Sequence, residues 1–365
     1  MLSERVELGA NSYSIEFSSD PYSAISTFLQ TYLGKKVLLI MDDHVESIYG
    51  AKLLLSLRSA GHAPLSFVFP SGENNKTIDQ VMNLLDVALT GHWNRDDIFL
   101  VIGGGVVGDM GAFAASLCLR GVPLIHVPTT LLAQVDSSIG GKTGVNHAKG
   151  KNLIGTFYQP KQVIISPHFL KTLDEREIRT GLSEIIKYAM IDSPVLLSQL
   201  SEWLLAHPIQ YYADYPDSFW ESVIGQCVRI KARVVSADEK ESGRRMILNY
   251  GHTFGHAIET ATHYTRYTHG EAIAVGMNLA ALIARGLGLC DDTLIQTQQS
   301  LLQLSGLPIQ SDGVMLNTLL DIVKNDKKVK NGRLTLVLPE YIGKVRIVPD
   351  VDEDNIRKIL QEVMP

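Results

Sequence analysis

The first half of the chain alternates two hydrophobic patterns. Lys36-Val37-Leu38-Leu39-Ile40-Met41 is a short apolar run closed by Asp42-Asp43, the pattern of a strand buried on both faces. A helical stretch follows over residues 45–60, then a second strand over 64–69. Residues 77–89 place Ile78, Val81, Leu84, Leu85 and Ala88 on one helical face. Residues 97–102 predict a third buried strand, closed by Gly103-Gly104-Gly105. A helix over 110–119 follows, and then a fourth strand over 122–127. Strands separated by helices predict a mostly parallel sheet covered on both faces. After about Asp174 the pattern turns helical, over 176–190, 194–206, 217–237, 252–262 and 270–287, with one late strand at 334–339. The expected organisation is an α/β N-terminal domain of Rossmann-like kind, with a mostly parallel sheet, over residues 1–176. A mainly α-helical C-terminal domain over 177–365 follows. No internal repeat or low-complexity segment interrupts it.

Length supports two domains, because single cores rarely grow past ~250–300 residues and the chain has 365. With 45% hydrophobic and 20% charged residues, the composition excludes a disordered chain. The net charge of −6 argues against nucleic acid as a partner, which needs a basic face. Cys118, Cys227 and Cys290 are too scattered for a disulfide framework or a metal knuckle, and suit a reducing compartment. The N-terminal residues lack the profile of a signal peptide, and no apolar run approaches the ~20 residues that span a bilayer. A cytoplasmic protein with no membrane partner is expected.

Gly103, Gly105 and Gly108 fit G-x-G-x-x-G directly after a strand. Bare backbone there lets a pyrophosphate approach, and a helix N-terminus supplies unpaired N–H donors. A tight turn without a ligand would have the same spacing. No acidic residue closes the next strand, which ends at Pro128-Thr129-Thr130. Asp42, or Glu73 with Lys76, are alternatives for the adenosine end.

His252 and His256 stand four apart, so on a helix they share a face. His263 and His269 follow. Upstream, Glu184 sits in a predicted buried helix. Glu184 with two of these histidines would make three nitrogen and oxygen ligands, leaving one position open, as in a catalytic rather than structural zinc site. Position 253 is Thr, so the pair is not the zinc-protease motif.

The densest polar stretch is Gln134-Val135-Asp136-Ser137-Ser138-Ile139-Gly140-Gly141-Lys142-Thr143-Gly144, with Gly150-Lys151-Asn152 soon after. It lacks P-loop spacing. It reads as a flexible loop whose Lys142, Lys151 and Asn152 can donate to phosphate or carboxylate oxygens. Lys187 lies one turn after Glu184. Lys231, Arg245 and Asn249 lie in the helical half, and the last two would share a face if helical. A dinucleotide site combined with an open metal position suggests alcohol oxidation, with the metal polarising the alcohol and the cofactor taking the hydride. The many basic groups imply a multiply charged substrate.

At these residues the chain resembles the 3-dehydroquinate synthase family, sugar-phosphate cyclases of the shikimate pathway. The matching motifs are GGGVVGD (103–109), VPTT (127–130), QVDSSIGGKTGVN (134–146), GLSEIIK (181–187), LNYGHTFGHAIE (248–259), HGEAIAVG (269–276) and Asp326-Lys327-Lys328. They run in order through almost the whole chain. The resemblance implies a carbon–oxygen lyase acting on 3-deoxy-D-arabino-heptulosonate 7-phosphate. Bound NAD transiently oxidises the C5 alcohol with the help of zinc or cobalt. Phosphate then leaves by β-elimination, the hydride returns, the ring opens, and an aldol step closes the carbocycle.

By motif, the resemblance implies that Glu184, His252 and His269 are the metal ligands and that His256 contacts substrate or supports the ligands. Asp136, Lys142, Asn152, Lys187, Lys231, Arg245 and Asn249 match substrate-site positions. Arg245 and Lys231 would meet the carboxylate, and Lys142 and Asn152 the phosphate. Lys327, with Lys328 as the alternative, would be a late phosphate contact. Arg120 matches an arginine that reaches into a partner subunit's site, which implies a homodimer. For NAD the matching positions are Asp42, Glu73, Lys76, Gly104, Gly105, Val106, Asp109, Thr129, Thr130, Lys142, Lys151, Thr172 and Glu177. The competing readings are a cyclase making an inosose or a valiolone, a metal-dependent polyol or alcohol dehydrogenase, and a non-catalytic sugar-phosphate binder.

Overall fold

The computed structural model describes residues 3–324, 329–330 and 333–364. The chain divides into two compact units, one of residues 1–173 and 216–240, the other of 174–215 and 241–365. The division differs from contiguous halves parted at residue 176. The helix Asp217–Ala237 belongs to the first unit, where it packs on the N-terminal strand and on the helical turn Ala133–Ser137. Hydrophobic spacing locates the apolar stripe of a helix but does not name the surface that covers it.

Among the described residues the first unit has nine strands: β1 (Ser3–Val6), β2 (Tyr13–Phe17), β3 (Val37–Asp42), β4 (Leu65–Phe69), β5 (Ile98–Gly103), β6 (Leu124–Pro128), β7 (Lys142–His147), β8 (Gly150–Phe157) and β9 (Gln162–Ile165). Seven form one sheet in the order β1-β2-β9-β6-β5-β3-β4, parallel throughout except for β1 against β2. The continuous apolar runs of β3 and β5 serve two cores at once. Leu38, Ile40, Phe99 and Val101 join one buried cluster, with the helices Ile78–Thr90 and Gly105–Leu117. Val37, Leu39, Met41, Ile98, Leu100 and Ile102 join the other, with the helices Pro21–Leu29 and Ala51–Ser59. From β3 the chain runs outward to β4, and β5 then restarts on the opposite side of β3. That reversal is a topological switch point, and the carboxyl ends of its two strands are Asp42 and Gly103.

Two local expectations are corrected. The helix after the glycine turn begins at Gly105, not at Met110, because Gly104 in extended conformation ends the strand and caps the helix at once. The stretch read as a flexible loop begins as the helical turn Ala133–Ser137 and, from Lys142, is a β7–β8 hairpin. Glycines permit it: a Cβ at Gly144 would lie 2.5 Å from the Ile154 carbonyl oxygen, and one at Gly155 would collide with that of Thr143.

The second unit gathers the helices Glu175–Asp192, Pro194–Ala206, His252–Ala261, His269–Gly286, Asp292–Leu304, Leu316–Lys324 and Glu353–Leu360. A small antiparallel sheet joins them, of β10 (Val329–Lys330), β11 (Arg333–Tyr341) and β12 (Lys344–Asp352). The helix His269–Gly286 is buried nearly all round. Its neighbours reach it through glycines. A Cβ at Gly276 would collide with the Gly251 carbonyl oxygen, and one at Gly270 with the Thr180 Cα. Among the described residues, no helix is long and apolar enough to cross a membrane.

Candidate active site

In the first unit, Gly104 caps the helix Gly105–Leu117, so that helix's unpaired N–H groups lie at the end of β5. The approach is close: a Cβ at Gly104 would lie 2.9 Å from Thr130 Cγ2, and one at Gly105 would lie 3.2 Å from Ser137 Oγ. Thr129 N–H donates to the Gly103 carbonyl at 3.0 Å, fixing the end of β6 beside the turn. Val106 packs on the core beneath. Asp42, at the end of β3, accepts from Val45 N–H at 2.7 Å, and burial pushes its carboxyl up. The Thr172 hydroxyl bonds the Tyr49 hydroxyl.

A second group in this unit is polar. Lys76 Nζ donates to Asp109 Oδ2 at 2.5 Å and to Asn152 Oδ1 at 2.6 Å. Lys76 is buried, and burial raises the Asp109 carboxyl while the Lys76 charge opposes the rise. Lys231 Nζ donates to Asp136 Oδ1 at 2.7 Å and to the Asp136 carbonyl at 2.5 Å. The helix Asp217–Ala237 thus delivers a substrate-site candidate to the first unit. Lys142 and Lys151 stand on β7 and β8. Arg120 lies in a run of left-handed backbone, with φ of +50° at Leu119, +68° at Arg120 and +120° at Gly121. Two of the three are not glycine, a strain that structures tolerate where a side chain must be aimed.

In the second unit, Glu184 is fully buried on the helix Glu175–Asp192. Its Oε1 lies 3.7 Å from His252 Nε2 and 3.7 Å from His269 Nε2. Donors around a tetrahedral ion with ~2 Å bonds stand about 3.3 Å apart, so small rotations bring these three onto one centre. The remaining ring nitrogens are engaged elsewhere. His252 Nδ1 faces the Tyr250 carbonyl at 3.1 Å, and His269 Nδ1 faces Glu259 Oε2 at 3.4 Å. Both Nε2 atoms therefore face Glu184, where a metal would bind them in place of any proton, the arrangement by which outer partners orient histidine ligands. Burial, then the Lys187 charge and the neighbouring imidazoles, drives the His252 pKa well below the usual range. Burial also works to lower His269, but Glu184 and Glu259 push it up to about 10. Lys187 pairs with Glu184 Oε2. His256 lies one turn along from His252, with its ring 5.3 Å from that of His252 and 6.0 Å from that of His269.

Arg245 is buried in the 3₁₀ turn Arg244–Asn249. The expectation that it shares a face with Asn249 fails, because in a three-residue turn i and i+4 point about 120° apart. Asn249 Nδ2 donates to Glu241 Oε1 at 2.7 Å. Glu177 stands in the first turn of the Glu175–Asp192 helix, where burial and Asp174 raise its carboxyl. Lys327 and Lys328 lie outside the described residues. Sequence reasoning gave no role to Glu259, seven residues after His252 and so on its helix face, nor to Asn146, described below.

Family models of the 3-dehydroquinate synthase N-terminal and C-terminal regions match residues 66–180 and 181–329. The 3-dehydroquinate synthase of Picosynechococcus sp. is 44% identical, over 98% of this chain and 97% of the relative. The chain belongs to the 3-dehydroquinate synthase family. A second 3-dehydroquinate synthase, from Synechocystis sp., is 42% identical over 97% of this chain and 98% of its own. Solved cyclases share the fold. The 2-epi-5-epi-valiolone synthase of Streptomyces hygroscopicus, with NAD⁺ and Zn²⁺ bound, has a TM-score of 0.88 at 27% identity, covering 98% of this chain and 97% of its own. A 2-deoxy-scyllo-inosose synthase complexed with carbaglucose-6-phosphate, NAD⁺ and Co²⁺ has a TM-score of 0.89 at 27% identity, covering 99% of each chain.

Proposed function

We propose that this member of the 3-dehydroquinate synthase family converts 3-deoxy-D-arabino-heptulosonate 7-phosphate into 3-dehydroquinate and inorganic phosphate, using NAD and a divalent zinc or cobalt ion. One observation carries the reading. Relatives that are 41% to 46% identical over nearly their whole length bear this one activity name, whereas the valiolone and inosose cyclases stand at 27%.

The donor set fits the metal: one carboxylate and two imidazoles whose outer nitrogens are already held. Glu184, His252 and His269 would bind it. Asp42, Glu73, Lys76, Gly104, Gly105, Val106, Asp109, Thr129, Thr130, Lys142, Lys151, Thr172 and Glu177 would bind NAD. When bound, the ion polarises an alcohol oxygen and the nicotinamide takes and returns one hydride, so no dinucleotide is consumed. The chain's own groups supply the charge and orientation. Lys187 sets a cation beside Glu184. In the first unit, Asp136 fixes the direction of Lys231, a contact for the substrate carboxylate, and Lys142 and Asn152 are contacts for the phosphate. In the second, Arg245 is a carboxylate contact, Asn249 and His256 are substrate contacts and Lys327 is a phosphate contact. Residues 1–176 accordingly carry mainly the dinucleotide role and 177–365 mainly the metal role, in a cytoplasmic enzyme.

With NAD⁺ and zinc, the purified protein should release phosphate from the heptulosonate phosphate with no steady rise at the NADH absorbance band. Steady NADH accumulation would make it a dehydrogenase. Release from another sugar phosphate in preference would make it a different cyclase.

Arg120 on its strained turn would complete the site of a second copy, making a homodimer. The sharp test is complementation. Co-expressed Arg120→Ala and Glu184→Gln chains, each inactive alone, should regain about a quarter of wild-type activity, because half the dimers are mixed and each has one whole site. No recovery would place Arg120 in its own subunit's chemistry or outside it.

A further inference from the structure

Asn146, on β7, joins the two candidate binding groups of the first unit. Its Nδ2 donates to Glu73 Oε1 at 2.7 Å. Its Oδ1 accepts from Asn152 N–H at 3.0 Å, and its own N–H donates to the Lys76 carbonyl at 2.9 Å. The amide's direction is unambiguous, because a carboxylate oxygen only accepts and a backbone N–H only donates. One end of this side chain therefore holds the loop that carries Glu73 and Lys76. The other holds Asn152, whose backbone sits at φ +53°, a left-handed conformation that asparagine tolerates but that needs a local partner. Lys76 closes the ring through its bond to Asn152 Oδ1.

We propose that Asn146 is a positioning residue that couples the dinucleotide loop to the substrate hairpin: it aims Glu73 for the cofactor and Asn152 for the sugar phosphate while touching neither ligand. The inference rests on the roles proposed above for Glu73 and Asn152. It predicts that the two ends of one amide can be disabled separately. Asn146→Asp keeps an acceptor for Asn152 but sets a carboxylate against Glu73. Asn146→Ala loses both ends.

The experiment measures NAD⁺ affinity by titration calorimetry, and kcat and KM for the heptulosonate phosphate by phosphate release, with melting temperature alongside. Losing a hydrogen bond to a charged group should weaken NAD⁺ binding about tenfold or more in Asn146→Asp, with KM for the sugar phosphate changed less than about threefold. Asn146→Ala should weaken both. In a Glu73→Gln background the glutamine amide can donate to the carboxylate that Asn146→Asp introduces, so Asn146→Asp should there change NAD⁺ affinity less than about threefold. That comparison holds whatever Glu73→Gln does on its own, and the melting temperatures show whether each variant is folded. Equal losses in the two backgrounds would overturn the proposal, as would a fall in melting temperature with NAD⁺ affinity and KM unmoved. An inactive wild type in the same assay would instead remove the functional reading beneath it.

Discussion

The two units hold their chemistry-bearing side chains by different means. In the second unit, Glu184, His252 and His269 are set by backbones pressed together through glycines, where an added methyl group would collide. In the first, Lys76, Asp109, Asn146 and Asn152 are set by hydrogen bonds among a loop, a helix start and a hairpin whose β8 strand is largely exposed. A packed site is rigid and intolerant of volume, because interiors are as dense as organic crystals. A hydrogen-bonded site yields by degrees as single partners are removed. A metal needs three donors fixed to a fraction of an ångström, whereas a charged sugar and a dinucleotide present many oxygens to several donors.

The largest test of this contrast is at the metal. Glu184→Gln keeps the shape of the side chain and removes its charge, so zinc content measured by mass spectrometry should fall from about one ion per chain to near none, and activity with it. Gly270→Ala changes no ligand, yet should also lower zinc retention and cost about 1–3 kcal/mol in stability, since its Cβ would meet Thr180 and push His269 away from Glu184. Full zinc and activity in Glu184→Gln would break the ligand assignment. Unchanged zinc in Gly270→Ala would break the packing half of the comparison.

Acid should act on the first unit. His126, on β6, is buried, and burial pushes its pKa down to about 4 from an ordinary 6.5. A folded pKa below the unfolded one means that protons bind the unfolded chain more tightly. The stabilisation is therefore present above pH 6.5 and lost as pH falls through 6.5 toward 4, by about 3 kcal/mol at pH 4. His126→Gln should flatten that part of a pH series of urea unfolding curves. An equally steep fall in the variant would exonerate His126. The ring lies beneath the glycine turn, with Cε1 3.7 Å from where a Gly108 Cβ would be. Protonation would therefore loosen the glycine turn first.

The contrast also explains what was legible from sequence. The strands β3 and β5, and the glycine turn after β5, were readable because burial on both faces leaves uninterrupted apolar runs, and β6 because only His126 breaks its run. The short strands β1 and β2 and the exposed hairpin were not. The hairpin's pairing rests on Gly144 and Gly155 crossing, a contact that composition reads only as flexibility. Two helices were placed to the residue, Pro194–Ala206 and Asp217–Ala237, yet the unit that claims the second was invisible, because its partner surface lies far away in sequence. The histidines were readable as a cluster. Motif resemblance named His252 and His269 as the pair, and spacing alone could not. The structure brings their Nε2 atoms to one carboxylate oxygen and shows what spacing lacked, an acceptor on each Nδ1. Arg245 and Asn249 misled because a helical rule was applied to a 3₁₀ turn.

The smallest expected effect sits where packing and hydrogen bonding meet. Thr268-His269-Gly270-Glu271 forms a capping box: the Thr268 side chain accepts from Glu271 N–H, and the Glu271 side chain accepts from Thr268 N–H. The box starts the helix at His269 and so sets the height at which that imidazole enters the site. Thr268→Ala removes one end of the box and should cost about 1 kcal/mol, a few degrees of melting temperature. Thr268→Ser keeps the acceptor and should cost little. If packing around Gly270 holds His269 in place as argued, zinc affinity will change less than about threefold in Thr268→Ala while the melting temperature falls. A larger loss of zinc would mean that the metal site, too, depends on a single hydrogen bond for its alignment, and the distinction between the two units would narrow to one of degree.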